Sequence, residues 1–252
     1  MYARPRRHAL ASAGVAALFV LSSCGSDDHA RDAAAGGRNG PKGPEFSVTS
    51  TELKSVLLSA DEVAGKGYSA GPETPYLLKT PTRPGDPEYG DSYESTFFDP
   101  ADCGLPVDRH AMGGPDAPRV EQLYATKKSR NGEGDDTHYG LVLASAERAV
   151  LEKQFDAYVA ALQACGTFTV RDGNDSWGYK IGDVQVGRYG PMSVGFRVEY
   201  SIEGEIEGYY SAALAVAGAT SVQAFTAQAS GQPAEPRTIL EAQLAKLAGL
   251  GG

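Results

Sequence analysis

The sequence predicts an α+β fold: a single, mainly antiparallel sheet with helices packed on one face and one disulfide. Three observations predict it. Several segments alternate apolar and polar residues at the two-residue period of a half-buried strand. One long segment places its apolar residues at the spacing of an amphipathic helix. Two cysteines lie in the chain beyond Cys24. Alternation with one polar face favours antiparallel pairing with a single face covered by helices.

The chain begins with a secretory signal. Arg4, Arg6 and Arg7 make a basic start, and the segment 9–21 is apolar and rich in small residues. A helix of that length rises about 1.5 Å per residue and is too short to cross about 30 Å of hydrocarbon. The sequence therefore predicts an export signal rather than a membrane-spanning helix, with Arg6 and Arg7 leaving the twin-arginine route open.

The signal ends on Leu21, Ser22, Ser23 and Cys24, a pattern that resembles the lipobox of bacterial lipoproteins. In that family the cysteine thiol receives a diacylglyceryl group, and cleavage makes the cysteine the mature N-terminus. The resemblance implies that residues 1–23 are a signal peptide and that Cys24 carries a palmitate-type lipid anchor. Its acyl chains would hold the protein on the outside of the cell membrane. An ordinary secreted protein with a chance cysteine is the alternative.

The mature chain is acidic and begins with a spacer. Without residues 1–23 it holds 20 Lys and Arg against 32 Asp and Glu, a net charge of −12. This balance argues against nucleic acid as a partner and against charge-driven adhesion to anionic lipid. Residues 25–45 contain no large apolar side chain, which predicts that 24–45 is the lipidated cysteine plus a disordered tether. Residues 46–252 predict a single extracytoplasmic domain.

Helices are predicted at the start, middle and end of this domain. Helical spacing of apolar residues begins at Leu53, and Ser59 with Glu62 forms a capping-box pattern for a second short turn. After Ser145 comes the clearest helix, whose apolar stripe is Val150, Leu151, Phe155, Tyr158, Val159 and Leu162. A terminal helix from about Pro236 to Ala248 has a stripe of Ile239, Leu240, Leu244 and Leu247.

Four strands are predicted from alternation, and the last two are joined as a hairpin through the segment SIEGEIEG. Their apolar positions are Leu123 and Ala125, then Tyr139, Leu141 and Leu143, then Val194, Phe196, Val198 and Tyr200, then Tyr210, Ala212, Leu214 and Val216. Arg197 and Glu199 mark the polar face of the third strand.

Cys103 and Cys165 are the two cysteines left after lipidation. In an oxidising compartment, two remaining cysteines predict one disulfide, and only one pairing is available. Two free or metal-binding thiols are the alternative, although no further ligands lie near either cysteine in the sequence.

A family resemblance enters with the segment LLSADEV, a cysteine after a loop, the strand THYGLVLAS and a helix that ends at ALQACG. This order, over residues 52–226, resembles the extracellular sensor domains of actinobacterial serine/threonine kinases and their stand-alone lipoprotein relatives. The resemblance implies a single sheet against helices and a cleft that binds an unidentified ligand. It implies no catalytic residues.

The domain shows no sign of an enzyme or of a cofactor site. It contains no HExxH, G-x-S-x-G, P-loop, G-x-G-x-x-G or paired cysteine knuckle. Asp135, Asp136 and His138 could meet a metal, although a solvated turn is the preferred interpretation. The residues Asp172, Asn174, Ser176 and Asp183 follow a calcium-loop template, but Trp177 stands where that loop needs glycine. The segment DGND is therefore predicted to be a hairpin turn, and no metal or cofactor is expected.

Aromatic residues suggest a ligand site instead. A tyrosine offers both a ring and a hydroxyl, which suits sugars or peptides, although tyrosines also line the edges of sheets. The segment 67–100 is rich in Pro, Gly and Tyr and is either a functional lid or a mobile connection. The candidate ligand-binding residues are Tyr76, Tyr89, Tyr93, Trp177, Tyr179 and Tyr189.

Taken together, these features predict a lipid-anchored cell-surface protein that acts as a non-catalytic, sensor-like or ligand-binding module. Its partners would be the membrane, through the anchor, and an unknown small ligand or protein. The alternative is a structural or chaperone-like accessory lipoprotein that holds a membrane protein through its sheet face. A hydrolase using two carboxylates is a third hypothesis, which would require them about 5–9.5 Å apart in a cleft.

Overall fold

The computed structural model describes residues 43–64, 68–71, 96–107, 111–126, 137–172, 175–228 and 232–251. The predicted signal peptide, Cys24 and nearly all of the tether lie outside these residues, so the division of the chain at 23 and 45 stays a prediction. Within the described ranges, no helix combines the length and the hydropathy needed to cross a membrane.

Among the described residues, nine strands form one sheet in the order β1-β3-β4-β9-β8-β7-β6-β5-β2, with every neighbouring pair antiparallel. The strands are β1 Tyr68–Gly71, β2 Thr96–Asp99, β3 Arg119–Thr126, β4 His138–Ser145, β5 Thr167–Asp172, β6 Asp175–Val186, β7 Ser193–Ile202, β8 Glu205–Ala217 and β9 Thr220–Gln228. The α-helices are α1 Ser50–Ser55, α2 Ala60–Ala64, α3 Arg148–Ala164 and α4 Arg237–Ala248. Two 3₁₀ helices are η1 Ala101–Val107 and η2 Gly249–Gly251.

The predicted α+β class, the single antiparallel sheet and the disulfide are confirmed. The four predicted strands are β3, β4, β7 and β8, and the predicted hairpin turns at Glu203–Gly204. The segment DGND also forms a hairpin, since Asp172 at the end of β5 pairs with Asp175 at the start of β6. Strands β1, β2 and β9 were not predicted.

Helices cover both faces of the sheet, which corrects the prediction of one covered face. On the first face, α3 packs through Leu151, Phe155, Tyr158 and Leu162 against a core that includes Leu214 of β8. Val150, which the predicted stripe included, is exposed instead. On the second face, α4 packs against β8 and β9 and α1 packs against β3, over a core that includes Ala213 and Ala215 of β8. In the sequence, alanines that alternate with larger apolar residues look like the solvent-facing positions of a strand. Here the small side chains are buried because a helix lies on them.

The Cys103–Cys165 disulfide joins η1 to the end of α3 and confirms the predicted pairing. Both half-cystines are buried in the first core. Beside it, the Tyr158 hydroxyl donates a 2.9 Å hydrogen bond to the carbonyl of Pro106, within η1. The bridge and this bond therefore hold η1 against the helix that covers the first face.

A buried amide holds α4 to the N-terminal helices. Gln243 of α4 is fully buried, and its Oε1 accepts a 3.1 Å hydrogen bond from the N–H of Leu58. Its Nε2 donates a 2.9 Å bond to the carbonyl of Val56. The Tyr124 hydroxyl donates to the carbonyl of Leu58 from β3. The connection between α1 and α2 thus has its backbone polar groups satisfied by side chains from the sheet and from α4.

An ion pair reinforces the same contact at the surface. The Lys246 Nζ lies 2.8 Å from a carboxylate oxygen of Glu62 and donates a 3.3 Å bond to the carbonyl of Leu57. Glu62 also accepts from the N–H and hydroxyl of Ser59, which is one half of the predicted capping box. The other half is absent, because the N–H of Glu62 donates to the carbonyl of Ser59 and not to its hydroxyl. The hydrogen bonds from Lys246 and Ser59 lower the pKa of Glu62 to about 2, so this carboxylate stays ionised in acid.

The chain enters the domain beside the turn between β8 and β9. The N–H of Ala219 donates a 2.7 Å bond to the carbonyl of Pro44. Gly218 in this turn has a φ of 59°, and a Cβ there would lie 2.2 Å from that same carbonyl oxygen. The Ser145 hydroxyl donates to the carbonyl of Ala219 and accepts from the N–H of Val48. The first described residues are thereby fixed against central strands.

Replacing Gln243 with alanine is expected to lower the free energy of unfolding by about 2–4 kcal/mol, because a buried N–H and a buried carbonyl lose their partners. Urea denaturation followed by circular dichroism measures the change. The matched control is Gln163→Ala on the exposed side of α3, which we expect to shift stability by less than about 0.5 kcal/mol. Equal stabilities for the two variants would contradict the role assigned to Gln243.

Replacing both Cys103 and Cys165 with serine is expected to cost about 2–4 kcal/mol, since the bridge closes a loop with a sequence separation of 62 and restricts the unfolded chain. Guanidinium denaturation of the oxidised wild type and the double variant gives the difference. Reduced wild type serves as the control and should match the variant. A variant as stable as the oxidised protein would disprove this contribution.

Candidate functional site

A polar groove lies on the second face, over strands β6, β7 and β8. Helix α4 packs on β8 and β9 there, and the neighbouring residues Lys180, Gly182 and Arg197 remain exposed. Two cavities of about 60 and 150 Å³ share Asp183 and Arg197 and together form this depression, which we call the β6–β8 groove. The groove is also lined by Arg188, Tyr189, Glu199, Tyr209, Ser211, Gln232 and Glu235.

One wall of the groove is the segment just before α4. Its Glu235 carboxylate lies 2.7 Å from Nε of Arg188 and accepts a 2.8 Å bond from Nη2 of the same guanidinium. The phenol of Tyr189 donates a 2.5 Å bond to Oε1, the same carboxylate oxygen that lies against Nε of Arg188. The segment is also tied to β9, because the Thr226 hydroxyl donates to the carbonyl of Ala234. The loop between β6 and β7 and the segment before α4 are thus joined across the groove.

Tyr189 stays protonated in this wall. Burial, followed by the hydrogen bond to the Glu235 carboxylate, raises the pKa of its phenol well above the usual value. Its ring lies against the sheet at Gly195, where a Cβ would come within 3.0 Å of the phenol oxygen. A glycine at that position therefore lets the ring lie on the strand, and the phenol acts as a fixed hydrogen-bond donor.

A bulge in β6 directs Asp183 into the groove. The register between β6 and β7 shifts between Gly182 and Gln185, and Asp183 has a φ of 53°. A positive φ is uncommon for a residue with a side chain, and bulges next to functional sites often redirect one. The Asp183 carboxylate lies 3.2 Å from Nη1 of Arg197, which also donates a 2.8 Å bond to Oε1 of Gln232.

Ser211 of β8 lines the smaller cavity. It stands between Arg197 of β7 and Thr226 of β9 in the sheet register. Its side chain is 1% exposed, and its Oγ has no hydrogen-bond partner among the described residues. Buried hydroxyl groups are nearly always hydrogen-bonded, so an unpaired one beside a cavity marks a place where another molecule can supply the partner.

The three predicted ligand-binding aromatic residues that the structure describes do not all lie on one face of the sheet. Trp177 and Tyr179 lie on the first face with the α3 core, where Tyr179 stacks on Phe168 at 5.0 Å between ring centroids. Tyr179 also packs against Tyr200 at 5.5 Å. Tyr189 lies on the second face, in the groove. The remaining three, Tyr76, Tyr89 and Tyr93, lie outside the described residues, as does most of the segment 67–100, and their role stays a prediction.

The groove residues gave little signal in the sequence. In the sequence, Asp183 stands out only as a position of a calcium-loop template. Arg197 stands out only as a residue on the polar face of a strand. Ser211 lies in a predicted strand without a base beside it. Arg188 and Glu235 are 47 positions apart, so no local spacing connects them.

A metal site finds no support in the described part of the chain. There, no three His, Cys, Asp or Glu side chains lie close enough together to hold an ion. Within the calcium template, Asp172 lies at the β5–β6 turn, whereas Asp183 pairs with Arg197 in the groove. Of the other predicted metal candidates, His138 lies in β4, and Asp135 and Asp136 fall outside the described ranges.

Comparison with known proteins supports the fold. The extracellular domain of PknH from Mycobacterium tuberculosis matches with a TM-score of 0.53 and 12% identity, over 82% of this chain and 97% of that domain. An uncharacterized Mycobacterium smegmatis protein, the Rv0999 ortholog, aligns at 17% identity over 81% of this chain and 98% of that one, with a TM-score of 0.39. No family model matches the chain, and no curated protein does. The PknH match agrees, at the level of fold, with the predicted resemblance to actinobacterial extracellular domains.

Proposed function

We propose that this protein is a lipid-anchored, extracytoplasmic and non-catalytic binding module, sensor-like in its fold, whose ligand site is the β6–β8 groove. The observation that carries the proposal is the unpaired hydroxyl of Ser211, buried beside the smaller cavity. A ligand atom in that cavity would satisfy a polar group that the protein leaves without a partner.

Binding fits the groove better than catalysis does. Each of its two best-placed carboxylates is already engaged by a guanidinium, Asp183 by Arg197 and Glu235 by Arg188. A carboxylate that serves as general base must have an oxygen within hydrogen-bond reach of the substrate proton, whereas these two carboxylates are held in ion pairs within the protein. Ser211 has no base beside it among the described residues, so its hydroxyl is suited to a hydrogen bond rather than to nucleophilic attack.

Three features support the location outside the cell. The N-terminal segment through Cys24 resembles a lipoprotein signal, the fold resembles an extracellular domain, and Cys103 and Cys165 form the kind of bridge that persists in oxidising compartments. With a net charge of −12 after residue 23, the protein would not be drawn to anionic lipid by charge. The lipid on Cys24 therefore supplies the membrane attachment in this proposal.

The groove can be blocked by a substitution at Gly182. A Cβ at this residue meets no heavy atom within 4 Å, so Gly182→Phe should place its ring in the groove without disturbing the fold. Gly166→Phe, at another position with open space, is the control. We expect a soluble digest of cell-wall glycans and peptides to shift the amide resonances of Asp183, Ser211 and Glu235 in wild type and control. The Gly182 variant should lose these shifts, and identical shifts in all three proteins would refute the site.

The anchor is tested at Cys24. In an actinobacterial host that expresses the full chain, Cys24→Ser should abolish labelling by an alkyne-bearing fatty acid and should move the protein from the membrane fraction to the soluble fraction. Ser26→Ala, two residues away, should behave like wild type. A serine variant that is processed normally and still sediments with the envelope would rule out lipidation at this residue.

A further inference from the structure

We propose that the ligand of the β6–β8 groove is a neutral, hydroxyl-rich molecule of about one ring, namely a single sugar unit of a free or terminal carbohydrate. This inference rests on the proposed function, because it names the class of ligand for the same site. Charge balance, hydrogen-bonding pattern and size each support it.

The charges in the groove cancel. Its described lining contains three cationic side chains, Lys180, Arg188 and Arg197, and three carboxylates, Asp183, Glu199 and Glu235. The two arginines are paired with carboxylates at 2.7 and 3.2 Å, and Lys180 stands directly opposite Glu199 in the strand register. A charged ligand would have to break one of these pairs or face a like charge, which costs free energy. A neutral ligand avoids that cost.

The groove places hydrogen-bond donors next to acceptors. Around Arg197, the Asp183 and Gln232 side chains accept, while the guanidinium itself still has further N–H groups to offer. The unpaired Ser211 hydroxyl both donates and accepts. Each hydroxyl of a sugar also donates and accepts, so two neighbouring hydroxyls can bond to one arginine–carboxylate pair at the same time. A phosphate also carries negative charge, which would meet the Asp183 carboxylate unfavourably.

The size and one aromatic side chain narrow the ligand further. The larger cavity holds about 150 Å³, below the roughly 300–1,000 Å³ of sites that enclose drug-sized ligands. Half-buried Tyr209 lines this cavity and offers a ring face to the apolar C–H side of a sugar, beside the polar edge formed by Lys180 and Glu199. A single ring with its hydroxyls on the rim is the ligand that uses both surfaces.

Methyl glycosides of glucose, galactose, mannose and arabinose are suitable probes because they are neutral and carry one ring. We expect at least one of them to give saturable amide shifts at Ser211 and Tyr209, with an affinity that changes less than twofold between 50 and 500 mM NaCl. Inorganic phosphate and an alanine dipeptide are titrated in parallel and should leave these resonances unmoved.

Ser211→Ala supplies the decisive variant. It removes a hydroxyl that has no partner, so the fold should be retained, and the affinity for the glycoside should fall by about fivefold to tenfold, the value of one hydrogen bond. Ser47→Ala, at an exposed position before α1, should bind like wild type. Unchanged affinity in the Ser211 variant would overturn the inference.

The outcomes also separate this inference from the proposed function. If phosphate or the dipeptide shifts the groove resonances and no glycoside does, the sugar class is wrong while the groove remains a binding site. If no glycoside binds but the cell-wall digest still shifts these resonances and Gly182→Phe removes the shifts, the class is again wrong. If neither the digest nor any probe affects the groove, both proposals fail.

Discussion

The structure depends on one constraint, which is that its central strands are apolar on both faces. In β4, Val142 contributes to the core under α3, whereas Leu141 and Leu143 contribute to the core under α4. A sheet of this kind is stable only when each face is covered. The chain meets that need with one long helix from the middle of the sequence and one from its end, and each is fixed by a specific bond: the disulfide beside α3 and the buried amide of Gln243 in α4.

The groove exists because the helices on the second face do not extend over β6 and β7. On the second face, α4 covers β8 and β9 and the N-terminal helices cover β1 and β3, whereas the outward residues of β6 and β7 are left to solvent. Polar side chains on that surface satisfy one another across strands, as Arg197 does with Asp183. The segment before α4 adds Glu235, which closes the groove on one side. The same helix that completes the core thus also delivers one wall of the candidate site.

The sequence predicts those parts of the fold that depend on local periodicity. The apolar stripe that includes Leu151 and Phe155 predicted α3. The disulfide was predicted because only two cysteines remain besides Cys24. Strand β9, with the sequence TSVQAFTAQ, was missed because both its faces are buried and no clean alternation survives. The second covered face was missed because Ala213 and Ala215 resemble solvent-facing positions. The groove was beyond local reasoning altogether, since its ion pairs join residues that only the folded sheet brings together.

The point where the chain joins the domain has a mechanical consequence. Because the carbonyl of Pro44 is bonded to the turn between β8 and β9, a pull from the N-terminal side is delivered to the middle of the sheet rather than to a peripheral strand. Strands β8 and β9 each pair with a neighbour on both sides. The force would therefore be distributed over several rows of backbone hydrogen bonds instead of detaching one edge strand. A domain attached at this point therefore resists unfolding under a pull along the chain.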